Sequence, residues 1–177
     1  AGALVVAGLV LSVAPAQAAT PAPALVYDFD ALPAGALATG ASIPDVAGSH
    51  PGTVQGTGAA ITTGPRGEDD RALALPGGAA GSSAAFVEIA RGLTDASTGD
   101  VTISAWMKWS GDQECPWAYA LGSSADRYLF ATPRCGGNLI GAVKLQGEQR
   151  ATNDGPAAST RWTHVAVSLE SGRRITT

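Results

Sequence analysis

The chain has 177 residues, 45% hydrophobic and only 15% charged, with 23 Gly, 11 Pro and a net charge of −4. That length allows one domain rather than two, and scarce charge with abundant Gly and Pro fits many short strands joined by turns. The acidic balance argues against nucleic acid or an anionic membrane surface as partner, because both need a basic patch.

In chain order, Ala1 to Val13 is an almost unbroken apolar run, broken by Pro15 and followed by the small residues Ala16 and Ala18. It reads as the apolar and cleavage regions of a secretory signal peptide, cut after Ala18. It is too short to span a bilayer, which needs ~20 apolar residues. No initiator Met and no basic leader precede it, so the chain is expected to begin inside a longer one. No membrane span is expected once the signal is removed. Residues 19–24 form a Pro/Ala linker. No stretch with a helical period follows.

Leu25-Val26-Tyr27-Asp28-Phe29-Asp30 alternates and is expected as the first strand. Residues 32–42 read as loop, and Ile43 to Val54 as a turn-rich stretch ending in a short strand. Ala59 to Thr62 reads as another short strand. Gly64 to Asp70 is expected as an exposed loop, with Glu68, Asp69 and Asp70 a solvated charge cluster. Ala72 to Leu75 and Ala84 to Ile89 are further strands.

The clearest strand is Val101 to Trp109. Val101, Ile103, Ala105 and Met107 share one face, and Thr102, Ser104, Trp106 and Lys108 the other. Trp162 to Leu169 answers it, with Thr163, Val165, Val167 and Leu169 on one face. These two strands are expected in the middle of a β-sandwich, since a sheet with one apolar face needs a second layer. Between them, residues 115–135 read as a hairpin turning near residue 125. Cys115 and Cys135 then face each other across the ladder, and an exported chain meets an oxidising compartment. A structural disulfide is expected, and two Cys without further ligands cannot close a tetrahedral metal site.

Five stretches in this order resemble one family. Tyr27-Asp28-Phe29-Asp30, Asp45 to Val54, Ala72-Leu73-Ala74-Leu75-Pro76-Gly77, Val101 to Lys108 and Trp162 to Val167 are similar to the motifs of the laminin-G-like, concanavalin A-like jelly-roll family of secreted bacterial proteins. The resemblance implies an all-β fold, an antiparallel two-sheet jelly-roll sandwich over residues 25–177. Family members continue with further strands after the second tryptophan strand, so the sandwich is expected to be incomplete at Thr177, its last strands and other domains belonging to a longer chain.

Catalysis finds little support. A glycoside hydrolase needs two carboxyl groups about 5–10 Å apart across the bond, and no strand carries acids at that spacing. Glu88, Glu148 and Glu170 have no acidic partner at strand spacing. His50 and His164 read as structural, and no Gly-x-Ser-x-Gly elbow or phosphate loop is present. Modules of the resembled kind often hold one structural calcium, and Asp30 and Asp45 are the candidate ligands, the rival reading being that both cap turns. Sugar binding uses exposed aromatic platforms. Trp109, Trp117, Tyr119 and Tyr128 are the candidates, at least two of them expected in the core or over the disulfide, while Trp106 and Trp162 are assigned to the packed scaffold. The expected function is a non-catalytic extracellular recognition module for a polysaccharide or glycan. The alternatives are the N-terminal portion of a secreted glycoside hydrolase, whose catalytic domain lies beyond residue 177, and an adhesive spacer.

Overall fold

The computed structural model describes residues 22–48, 50–79, 81–93, 100–109, 114–146, 148–156, 160–170 and 174–176. The expected signal peptide and the first half of the linker lie outside them. Among the described residues every regular element is a strand, and every ladder is antiparallel.

The first half contains β1 (Gly35–Ala36), β2 (Ser42–Ile43), β3 (Gly52–Gln55), β4 (Ala60–Gly64), β5 (Gly67–Ala74) and β6 (Phe86–Ile89). They form two small sheets, ordered β1-β4-β5 and β2-β3-β6. Ile43, Val54, Ala59 and Ala85 make their core, with Tyr27, Phe29, Leu37, Leu73 and Val87 packed against it.

Three sequence expectations change here, the first being that residues 32–42, read as loop, hold β1, paired with β4, and the start of β2. Residues 25–30 form no ladder, only a bridge from Tyr27 to Asp45. Aspartate side chains have taken the backbone donors that a strand would use. Asp45 accepts from the Val26 N–H at 2.9 Å and Asp28 from the Asp30 N–H at 3.0 Å. The stretch 64–70 is not a loop but a tight hairpin whose turn is Pro65–Arg66, joining β4 to β5. Asp70 is buried in it rather than solvated. It accepts the Arg66 backbone N–H at 2.8 Å and the Arg66 guanidinium through Nε and an η nitrogen at 2.8 and 2.6 Å. Gly64 makes room for this, since a Cβ there would collide with the Asp70 carboxylate. Glu68 and Asp69 remain exposed.

The second half contains β7 (Val101–Met107), β8 (Tyr119–Ser124), β9 (Arg127–Cys135), β10 (Asn138–Leu145), β11 (Glu148–Pro156), β12 (Thr163–Glu170) and β13 (Arg174–Thr176). A four-stranded sheet, β11-β10-β9-β8, faces a three-stranded one, β13-β12-β7. Leu129, Ala131, Leu139 and Val143 of the first meet Val165 and Val167 of the second, with Val101, Ile103, Met107 and Leu169 alongside. The two tryptophan strands, both expected in the middle, are neighbours in one sheet, with β12 central and β7 at the edge of the described strands, and Val165 stands opposite Ala105 in the ladder. Their shared apolar face is the one the alternation marked, and β9 and β10 cover it. The result is a two-layer antiparallel sandwich.

Candidate functional site

The β8–β9 hairpin builds the site. It turns at Ala125–Asp126, and Tyr119 pairs with Ala131, Ala120 with Phe130 and Leu121 with Leu129. Extending that register outward places Cys115 opposite Cys135, and the two are joined by a disulfide. Neighbouring groups brace the junction. The Cys115 N–H donates to the Arg134 carbonyl at 2.8 Å. The Glu114 carboxylate accepts from Arg134 Nε at 2.7 Å and from the Gly136 N–H at 3.0 Å. The Ala118 N–H donates to the Ala131 carbonyl at 2.8 Å. Trp117 is therefore tied down on both sides, between Cys115 and Ala118.

Alternation along β9 sends Leu129 and Ala131 into the core and Tyr128 and Phe130 to the outer face. Trp117 stacks on Phe130 with centroids 5.0 Å apart and planes at 29°, and lies 5.3 Å from Tyr128. Phe130 is only 6% exposed, whereas Trp117 is 56% exposed. The exposed rings border an open depression of about 560 Å³ lined by Trp117, Tyr128, Gly122, Ser123 and Ser124. A Cβ on Gly122 would collide with the Tyr128 side chain and the Arg127 carbonyl, so glycine is what lets Tyr128 lie where it does. Across the ladder, Lys144 stands directly opposite Tyr128. Its ammonium is 5.8 Å from the ring centroid and 3.5 Å from the Asp126 carboxylate.

The four aromatic candidates separate. Trp117 and Tyr128 come together in this cluster. Tyr119 points the other way, against the sandwich core, where burial pushes its hydroxyl far above the ordinary phenol range. Trp109 follows β7, half-buried, and takes no part in the stack. Two members were missed in the sequence, Phe130 and Lys144. The i, i+2 spacing of Tyr128 and Phe130 on a strand was a readable signal for the first. Lys144 had none, because only the pairing of β9 with β10 brings it to Tyr128. Trp106 also departs from its assignment to the packed scaffold, being 57% exposed on the outer face of β7, beside His164.

The aspartates proposed for calcium do not present a cation site. Asp45 spends both carboxylate oxygens on backbone N–H groups, of Val26 at 2.9 Å, Ala47 at 3.0 Å and His50 at 3.1 Å. Those donors, the Val26 N–H foremost, hold its carboxyl below the usual range. Asp30 accepts the Arg71 N–H at 2.8 Å and the Arg66 guanidinium at 3.0 Å. Positive partial or full charges already sit where a cation would bind, so neither carboxylate fits a calcium ion. Two further acids are engaged. Glu88 accepts from the Gln55 amide at 3.0 Å, and Arg66 holds the Asp70 carboxyl low, through its backbone N–H first and its guanidinium second. A general acid for glycoside cleavage requires the opposite, a carboxyl pushed up.

A laminin G-type family model, described as the concanavalin A-like lectin/glucanases superfamily, matches residues 80–176. The chain belongs to the concanavalin A-like lectin/glucanases superfamily. The match runs across the sandwich of β7–β13 that carries the aromatic cluster. Membership in this superfamily supports a carbohydrate-binding or adhesive module. No curated protein and no solved structure matches the chain.

Proposed function

We propose that this superfamily member is a non-catalytic extracellular recognition module that binds carbohydrate, and that the Trp117–Tyr128 face of the β8–β9 hairpin is where it does so. The observation that carries the reading is the Trp117 ring, held open to solvent over Phe130 beside Ser123 and Ser124. An aromatic face backed by a rigid stack offers its surface to the CH face of a sugar at little entropic cost, and the neighbouring hydroxyls can hydrogen-bond to sugar hydroxyls. The disulfide suits an oxidising compartment. The laminin G-type match supports the same reading.

The test is a glycan array with the full chain, followed by calorimetric titration of the best binder against Trp117→Ala. Loss of one stacking platform is expected to weaken binding by about tenfold, the effect of ~1–1.5 kcal/mol in an aromatic contact. Binding that survives Trp117→Ala unchanged, or no binding to any glycan, overturns the reading.

A further inference from the structure

The sandwich turns a second aromatic set to solvent, on the side away from Trp117. The alternation that buries Met107, Val165 and Val167 sends Ser104 and Trp106 of β7, and His164 and Ser168 of β12, to the outer face. Trp106 stands opposite His164 in the ladder, their rings edge to face at 5.4 Å. At the neighbouring position the Lys108 ammonium lies 5.4 Å from the centre of the Trp162 ring. Further along, the Thr102 and Ser168 hydroxyls share a 2.9 Å hydrogen bond. Among the described residues of β7 and β12, this face has no aliphatic side chain larger than Ala166 between Thr102 and Lys108. A protein partner needs a desolvated apolar centre, whereas a lone exposed indole among hydroxyls and an ammonium suits a sugar.

Lys108 and Lys144 are the two lysines of the chain. One lies on each outer face of the sandwich, and each holds its ammonium over an aromatic ring, Trp162 or Tyr128. An ammonium on a ring face keeps donors free for an anion. In a chain of net charge −4, both lysines thus flank exposed tryptophan surfaces. Among the described residues Lys144 has one competitor, the 71% exposed Asp126, at a long 3.5 Å. We propose that the sandwich is a bivalent binder of uronate-bearing polysaccharide. Trp106 with Lys108 forms one platform and Trp117 with Lys144 the other, each stacking a sugar ring and pairing its carboxylate. Opposite placement of the two lets one module bridge two polysaccharide strands. The Trp117 half rests on the reading proposed above, and the Trp106 half stands without it.

The probes are polygalacturonate and its methyl ester, which keeps the chain and removes the charge. Affinity electrophoresis reads binding, and turbidity reads bridging. The full chain is expected to be retarded several-fold more by polygalacturonate than by the ester, and to cloud the solution. Trp106→Ala/Lys108→Gln and Trp117→Ala/Lys144→Gln should each still be retarded but give no turbidity, and the quadruple variant should not be retarded. Asp126→Asn should bind roughly two- to five-fold more tightly, the effect of releasing an exposed ion pair. Turbidity that survives Trp106→Ala/Lys108→Gln overturns the second face and leaves the Trp117 reading standing. Retardation and turbidity unchanged in Trp117→Ala/Lys144→Gln overturn the Trp117 reading and bivalency together. Equal retardation by the ester overturns carboxylate recognition, and no retardation of the parent chain by either probe overturns the proposal.

Discussion

Removing the disulfide tests how the aromatic site is held. Cys115 and Cys135 are 20 residues apart, and closing a loop of that length removes unfolded-chain entropy worth about 3 kcal/mol. In Cys115→Ser/Cys135→Ser that contribution disappears. What still ties the Trp117 segment to β9 and the residue after it is a pair of backbone hydrogen bonds at 2.8 Å, the stack on Phe130, the Gly136 N–H on the Glu114 carboxylate at 3.0 Å and, as that carboxylate's second contact, the Glu114–Arg134 pair at 2.7 Å. That ion pair is half-exposed and worth only about 0.2–1 kcal/mol. Both global stability and the local hold on Trp117 should therefore fall. Urea unfolding followed by tryptophan fluorescence is expected to show a loss of about 3 kcal/mol, with a larger m-value because the unfolded chain expands. Near-UV circular dichroism should lose part of the Trp117–Phe130 stacking signal under native conditions. A loss under about 1 kcal/mol with an unchanged near-UV spectrum would refute the reasoning. It would mean that the hairpin alone already closes the loop and positions the ring.

Other expectations follow from the same geometry. Gly122→Ala should cost about 1–3 kcal/mol through the forced overlap with Tyr128, and an unchanged melting temperature and near-UV spectrum would contradict it. Val167 is fully buried between the sheets, so Val167→Ala should cost about 2–3 kcal/mol. Val46→Ala, at a residue 62% exposed, should change stability by under about 0.5 kcal/mol, and similar losses for the two would refute the placement of the core. Asp45 and Asp70 have carboxyl groups held below their ordinary values, so they stabilise the fold above the unfolded carboxylate range. That contribution is lost as pH falls below about 4. Asp45→Asn and Asp70→Asn should each flatten the acid limb of stability measured between roughly pH 2 and 6, and an acid limb unchanged in both would show that other groups govern it.

Much of the fold was legible because strand alternation reports burial directly. The period-two pattern of Val101 to Met107 and Thr163 to Leu169 named the buried face of each strand correctly. The hairpin at residues 115–135 could be read because its turn residues and its two cysteines agreed on one register. The reading failed where side chains compete with the backbone. Asp45 and Asp28 took the Val26 and Asp30 N–H groups, and residues 25–30 make a single bridge instead of a strand. Arg66 neutralised Asp70, so a charged stretch became a tight hairpin with Asp70 buried in it instead of a solvated loop.

The candidate site divides along the same physical line. Residue types and local spacing, properties of one chain segment, determined by themselves that an aromatic hairpin closed by a disulfide lay between the two tryptophan strands. Which rings would meet depended on pairing between strands distant in sequence. Only the tertiary structure could place Trp117 over Phe130, turn Tyr119 into the core, bring Lys144 from β10 to Tyr128, and leave Trp106 and Lys108 facing solvent on the opposite side. Strand register and sheet order settle those choices, and both are set by how the two layers bury their apolar faces together rather than by any single stretch.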